Sequence, residues 1–373
     1  MNFSLNEEQQ MLADSVRRWV RDGYHGEARR RDKTRRPLDA ALWRQFAELG
    51  WLALPFAEDD GGLGGGPVET MVLMEELGRG LVVAPYVPTV VLGGGLLRRA
   101  GTARRQRHLP ALIEGRLQLA LALDEYERVF APENTALTAT AEQGGYRLDG
   151  RKALVLNGDQ ADALLVLART GGVPGDEHGL SLFWLTPDQD GVSLAPHRTV
   201  DGHTAAELTL ERVHLPAEDL VGEPGGALAP LRATLDEALL ALGAEAVGAL
   251  SVLLDDTVEY ARTRRQFGVP IGDFQALQHR MADMFMALEQ LRSLLLAATL
   301  KVAEGHADAR RAVHALKARL GLDGRHLAQE AIQLHGGMGM TDELAVGHYF
   351  KRLSAINGLF GGADAHLAAF ADT

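Results

Sequence analysis

Between Leu231 and Arg265 the chain reads LRATLDEALLALGAEAVGALSVLLDDTVEYARTRR, with leucines and alanines at helical spacing for more than 30 residues. That is roughly three times an average helix. Such a helix can bury its apolar sides only among other long helices, so the stretch commits the C-terminal part of the chain to a bundle. FQALQHRMADMFMALEQLRSLLLAATLKVAEG and the segment from Ala309 to Leu334 continue the pattern. Upstream, from about residue 118, the period changes: YRLDGRKALVL, ALLVLART, LSLFWLT, GVSLAPHRTV and AELTLERVHLP read as short strands. Asp149-Gly150 is a hairpin signal within the first of them. The first 115 or so residues are helical again. Ser4 and Glu7 form a capping box ahead of Met11, Leu12, Val16, Trp19 and Val20. ALWRQFAELGWLAL and ETMVLMEELGRG follow, and the glycines at 61–66 between them read as turn formers. Helices, then strands, then long helices predict an α+β, mainly α, fold and argue against a βαβ nucleotide fold. The division expected is a helical domain at 1–117, a β domain at 118–222 and a helical bundle at 223–373.

With 38 Lys+Arg against 50 Asp+Glu the formal charge is -12, which disfavours nucleic acid as a partner. Basic clusters at Arg29, Arg30, Arg31, Lys33, Arg35 and Arg36, and at Arg98, Arg99, Arg104, Arg105 and Arg107, read as solvated helix ends and loops. The alternative is the steering of a phosphorylated substrate. There is no cysteine, which removes disulfides, thiolate nucleophiles and Cys-ligated zinc and makes the cytoplasm the default compartment. The start, MNFSLNEEQQ, is unlike a secretory leader, and no run approaches ~20 apolar residues, so no membrane span is expected.

Walker A, G-x-S-x-G and H-E-x-x-H motifs are missing, and the 13 histidines are scattered. Two stretches stand out in their place. In RTRRQFGVPIGDFQALQHRMADM, arginines lead into a tight turn at Phe267-Gly268, with Gln275 on the next helix. In QLHGGMGM, at 333–340, Gly336 and Gly337 leave room for a bulky group to approach the backbone. Taken singly, each also reads as an ordinary helix end. Taken together, a planar cationic fork and bare amides suit an anionic, nucleotide-like ligand.

Residues 258–284 and 333–351 closely resemble the C-terminal domain of the acyl-CoA dehydrogenase family. LGWLALPFAEDDGG and LTLERVHLPAEDLVG resemble signatures of its first two domains. The resemblance implies an N-terminal helical domain, a central β domain and a C-terminal four-helix bundle. It further implies FAD, an acyl-CoA substrate that is dehydrogenated between its α and β carbons, and an electron-transfer flavoprotein as acceptor. On that resemblance Arg264 reaches the pyrophosphate of a flavin held mainly by a neighbouring subunit. Gln266, Phe267 and Gln275 match further FAD contacts, and Gln333, Gly336 and Gly337 match the adenosine-side loop.

The same resemblance exposes losses. The family's proton-abstracting glutamate falls, in INGLFGGAD, on Phe360. An alternative position on the first bundle helix falls on Ala238, with Glu237 one residue and so ~100° away. The family's flavin-facing T-E-P-x-A-G-S-D corresponds to LDEYERVFAPENT, which keeps only Glu125, and the threonine of W-I-T corresponds to Leu156. Contacts made to a neighbour's flavin are kept while those of the chain's own site are eroded. That pattern resembles the base-less subunit of a hetero-oligomer, and, more narrowly, small subunits of the pimeloyl-CoA dehydrogenase type. Two other readings stand beside it. One is a self-sufficient homo-oligomer whose base is Glu245, on a face of small residues that would desolvate it, or Glu237. The other is a flavin-free assembly protein.

Overall fold

A computed structural model describes residues 5–24, 40–100, 102–126 and 131–372. By its contacts the chain divides into two compact units, neither contiguous in sequence. One comprises Met1–Thr34, Pro67–Val82 and Leu239–Thr373, and the other Arg35–Gly66 and Val83–Ala238.

Helix α1 (Glu7–Gly23) begins two residues later than the sequence suggests. Its N-cap is Asn6, whose Oδ1 accepts from Gln9 N at 2.8 Å while Gln9 Oε1 accepts from Asn6 N at 3.0 Å. The box therefore has the expected spacing but other residues. Glu7 lies in the first turn, where its charge meets the positive end of the helix dipole, and Ser4 is outside the described residues. Helix α2 (Ala40–Glu48) buries Leu42, Trp43 and Phe46 and stops before Gly50, whose φ is +74°. Gly61 and Gly64, at φ +84° and +69°, do serve as turn formers. Helix α3 (Pro67–Arg79) is followed by a π-helix at Tyr86–Gly94, which leads into α4 (Gly95–Ala100). A Cβ at Gly93 or Gly94 would come within 2.5 Å of Leu119 or Phe56, so only glycine permits that approach. Helix α5 (Thr102–Ile113) ends the first helical stretch.

Strands β1 (Leu119–Ala122), β2 (Thr138–Glu142), β3 (Gly145–Leu156), β4 (Ala163–Arg169), β5 (Leu180–Leu185), β6 (Val192–Arg198), β7 (Thr204–Pro216) and β8 (Leu220–Val221) form one sheet. Its order is β6-β7-β3-β2-β4-β5-β8, with β1 parallel to β4. Leu148, Val155, Leu164, Val166, Phe183 and Leu208 lie in its fully covered core. The hairpin expected at Asp149-Gly150 is not there. β3 runs straight through that pair, and the turn from β2 lies at Gln143-Gly144, where Glu142 pairs with Gly145. Asp149 instead lies opposite a β-bulge in β7: Leu148 pairs with Val213 but Gly150 with Leu210, so Glu211 and Arg212 together oppose Asp149. Asp149 Oδ1 accepts from Arg212 N at 2.8 Å, and Gly150, at φ +142°, lies where a Cβ would meet Leu137 at 2.9 Å. The Asp149 side chain thus holds the bulge of the neighbouring strand, where Arg212 has φ +51°.

Helix α6 (Leu228–Thr263) has 36 residues. Contrary to the expectation from the sequence, it is long and apolar enough to cross a membrane by length and composition. However, 89% of its most apolar window is buried within the protein, as in a core helix. Where it passes α3, Gly248 faces Glu75 O and Gly78 faces Glu245 O. A Cβ at either glycine would lie about 2 Å from that oxygen, so the small residues of α6 serve a close helix crossing. A short hairpin of β9 (Arg265–Gln266) and β10 (Val269–Pro270) leads to α7 (Gln275–Ala303). Helices α8 (Ala309–Arg319) and α9 (Arg325–His335) are joined by a π-turn at Leu320–Gly324, and a 3-10 turn at Gly336–Met340 follows. Helices α10 (Ala345–Gly358) and α11 (Ala363–Asp372) complete the chain.

Candidate functional site

The RTRRQFG stretch becomes an exposed arm. Arg264 N still donates to Tyr260 O at 2.8 Å, and Ile271 N donates to Arg264 O at 2.8 Å, closing the hairpin's base. At the tip Phe267 has φ +53° and Gly268 φ +87°, the type I′ geometry of a two-residue turn. Left-handed backbone is uncommon for an aromatic residue and marks a position with a purpose. Phe267 is 94% exposed, with its edge on Phe274 at 6.2 Å. Arg265 is used within the arm, donating to Gly268 O at 2.8 Å. Arg264 is exposed, and among the described residues no acceptor or carboxylate reaches its guanidinium. Gln266 and Gln275 are exposed beside it.

The second motif stands at the same end of the helices. His335 stacks on Tyr260 with ring centroids 4.4 Å apart, and its Nδ1 donates to Ala331 O at 2.8 Å. Tyr260 lies four residues before Arg264, so the stack ties Gln333, Gly336 and Gly337 to the root of the arm. Gly336 has φ +59° and ψ -140°, open only to glycine. Gly337 has no such requirement, and nothing lies within 4 Å of a Cβ built on it. Its bareness serves no internal contact and leaves the backbone open to something outside the chain. Tyr260 and His335 escaped the sequence reading, although an aromatic one turn before the arginine and another beside the glycine pair were a usable signal.

Phe360 is 5% exposed and also left-handed, at φ +54°, in a turn whose carbonyls are held from behind by Lys317 and His366. Glu245, a candidate base on sequence, is ion-paired with Arg352 of α10. Arg352 Nε and Nη2 donate to its two oxygens at 2.6 and 2.7 Å, and both side chains are buried. A bidentate guanidinium fork fixes the orientation of the carboxylate and occupies one side of both its oxygens. Glu237 is committed in the same manner: Arg98 donates to its two oxygens at 3.0 and 2.8 Å, and Arg99 donates to Oε1. Ala238 beside it is fully buried.

In the second unit Glu125 is an anchor. It accepts from Lys152 Nζ at 2.7 Å, from Ala136 N at 2.8 Å and from Leu137 N at 3.0 Å. Burial works to raise its pKa, but the Lys152 charge and these hydrogen bonds outweigh it and hold the carboxyl below its ordinary value. Lys152, 0% exposed, is satisfied by Glu125 and Leu123 O. Its neighbour Asp124 has no donor among the described residues, and burial pushes it up to about 6. Asp124 pairs through its backbone with Leu154, two residues before half-buried Leu156, so two of the eroded positions lie on adjoining chain segments. Residues 127–130 of the same stretch lie outside the described residues.

Comparison with known proteins bears on all three parts of the chain. The acyl-CoA dehydrogenase N-terminal, middle and C-terminal domain models match residues 6–116, 125–213 and 228–371. A probable acyl-CoA dehydrogenase, YngJ of Bacillus subtilis (strain 168), is 31% identical over 352 residues, covering 93% of this chain and 92% of that protein. Among solved structures, the ChsE4-ChsE5 complex from Mycobacterium tuberculosis matches with a TM-score of 0.89 and 30% identity, covering 100% of this chain and 98% of that one. The FAD complex of PigA matches with a TM-score of 0.92 and 26% identity, at the same coverage. With matched models over nearly its whole length and relatives of full-length similarity, the chain belongs to the acyl-CoA dehydrogenase family.

Proposed function

We propose that this chain is the base-less subunit of a hetero-oligomeric acyl-CoA dehydrogenase, and that its arm completes a flavin site centred on an unlike partner chain. The observation that carries the reading is Arg264, an exposed cation with no partner among the described residues, on a preformed arm whose tip, Phe267, is uncovered. A guanidinium fork matches a diphosphate, and bare Gly337 offers room for the nucleotide's flat surface, so this part of the chain fits FAD. The positions that family resemblance gives to the ring's own pocket fit it poorly. Leu156 offers no hydrogen bond, and Asp124 brings a desolvated carboxylate in place of a hydroxyl. Phe360 can take no proton, and both alternative glutamates are committed to arginines. The similarity to a complex of two named chains supports the same reading.

When bound, FAD supplies an acceptor for the hydride removed from the acyl β-carbon. In this proposal Arg264 neutralises its diphosphate, Gln333 and the Gly336-Gly337 backbone hold its adenosine side, and Gln266, Phe267 and Gln275 line the approach. The partner contributes the carboxylate that takes the α-proton, and an electron-transfer flavoprotein removes the electrons. The division of the chain at 117/118 and 222/223 belongs to the same proposal. The narrower resemblance to pimeloyl-CoA dehydrogenase small subunits makes a dicarboxylyl-CoA the first substrate to try.

Flavin absorbance per chain tests this, on the protein alone and co-expressed with an acyl-CoA dehydrogenase encoded beside it. Little flavin alone and about one FAD per pair of unlike chains is the expected result. Arg264→Ala should then lower flavin retention in the pair. One FAD per chain in the protein alone, or undiminished flavin in the Arg264→Ala pair, would overturn the proposal.

A further inference from the structure

The turn that carries Phe360 is held in an unusual way. Four carbonyl oxygens, two in the turn and two in the end of α10 before it, are claimed by two side chains from other helices. Lys317 of α8, 1% exposed, donates to Ile356 O at 3.1 Å, Asn357 O at 2.8 Å and Gly361 O at 2.9 Å. His366 of α11 lies with Nε2 2.9 Å from Phe360 O. No carboxylate pairs with Lys317 among the described residues, so its charge is met by carbonyl dipoles at the C-terminal end of α10. Burial brings its pKa down to about 8. Phe360 and Gly361 are successive left-handed residues, at φ +54° and +99°. Such a conformation at a bulky residue persists only where the surroundings over-determine it.

The tautomers follow from the geometry. Phe360 O can only accept, so His366 Nε2 carries the proton. Neutral His366 must then accept at Nδ1, and the atom 2.9 Å away is His314 Nδ1, which therefore donates. Burial holds both imidazoles down to about 4, which keeps them neutral near pH 7. His314 thus fixes His366, and His366 and Lys317 together fix the turn.

We infer that Lys317, His366 and His314 are positioning residues that set the backbone of the Leu359–Gly362 turn, and with it the buried place of Phe360, whose assignment to this chain's own base-less acyl pocket rests on the proposed function. The experiment compares His366→Leu, His366→Gln and Lys317→Met in the full chain by hydrogen exchange. It reads the segment around 356–366 against the α3–α6 crossing. His366→Gln keeps an N–H for Phe360 O, whereas His366→Leu does not. Expected are amide exchange about tenfold faster in that segment for His366→Leu and Lys317→Met, near-native exchange for His366→Gln, and an unchanged crossing. Equal exchange in all variants, or acceleration of the crossing to the same degree, would overturn the inference. A non-oxidisable alkyl-CoA thioether, titrated into the assembled enzyme, gives the functional arm. Affinity should be the same in all three variants, since the proposed acyl site takes its carboxylate from the partner. A loosened turn with weakened affinity, restored in His366→Gln, would put the turn at a working acyl site and count against the proposed function, while the hydrogen-exchange result would still separate the two claims.

Discussion

Glu245 lies on a stripe of alanine and glycine, a setting that on sequence suits a desolvated base, and the stripe is real. It exists because α3 crosses α6 there, and the carboxylate is matched by Arg352, 107 residues further along the chain. A single sequence displays a residue's own helix face but not the partner that another helix brings to it, and this is why the candidate was legible and its pairing with Arg352 was not. Glu245→Gln should therefore act on stability. Leaving Arg352 buried without its counter-charge costs about 3 kcal/mol, measured as a lower denaturation midpoint. Glu245→Gln with Arg352→Met should recover most of the loss. Turnover per folded enzyme in an assembled complex should not change with either, and a selective loss of turnover in Glu245→Gln would restore it as a base.

Two X-Gly pairs show how elements depend on what lies across from them. Asp149-Gly150 has the composition of a hairpin turn and instead runs on opposite a bulge in β7, because β7 continues alongside β3 past that point. Phe267-Gly268 has the less usual composition and forms the hairpin, because Arg265 and Gln266 find their partners in Pro270 and Val269. The arm was readable as a tight turn, whereas its exposure was not, since nothing in the local sequence says that the ring of Phe267 meets no core. Being 94% exposed, Phe267 contributes little to the chain's own stability. Phe267→Ala should shift unfolding by no more than about 0.5 kcal/mol. If the arm is an anchor in an assembly, the same change should weaken association by about 2 kcal/mol, roughly a 30-fold rise in the dissociation constant. Sedimentation of wild type and variant measures this, and equal association would remove the arm from the interface.

Across the whole molecule, the succession of helical, extended and long-helical periods was enough to anticipate the fold class, since each period needs its own way of burying apolar surface. The assignment of α1 and α3 to the same compact unit as the bundle was not legible, because it depends on packing between helices far apart in sequence. The ionisation of buried groups is likewise a property of the completed structure. His314 and His366 are lowered from 6.5 to about 4 by burial, so on acidification the unfolded chain takes up protons before the folded one. Stability should therefore be lost as pH falls from 6.5 toward 4. Asp124 works in the opposite sense. Raised from 3.8 to about 6, it weakens the fold as pH rises through that window. Asp124→Asn should raise the unfolding midpoint at pH 7 and lose that advantage near pH 3.8, and a series of thermal melts across pH checks both signs.

The left-handed Phe267 also bears on how many copies of the chain can safely exist. Its ring, one of the largest apolar side chains, stands exposed at the tip of the hairpin when no neighbour is near. On the proposed function, a copy made in excess of the unlike partner wears that surface uncovered. The tip that would complete an assembly therefore also marks the surplus, leaving it open to aggregation and to the proteases that clear orphan subunits. If the proposed hetero-oligomer forms, synthesis of its two chains in step is the economical answer.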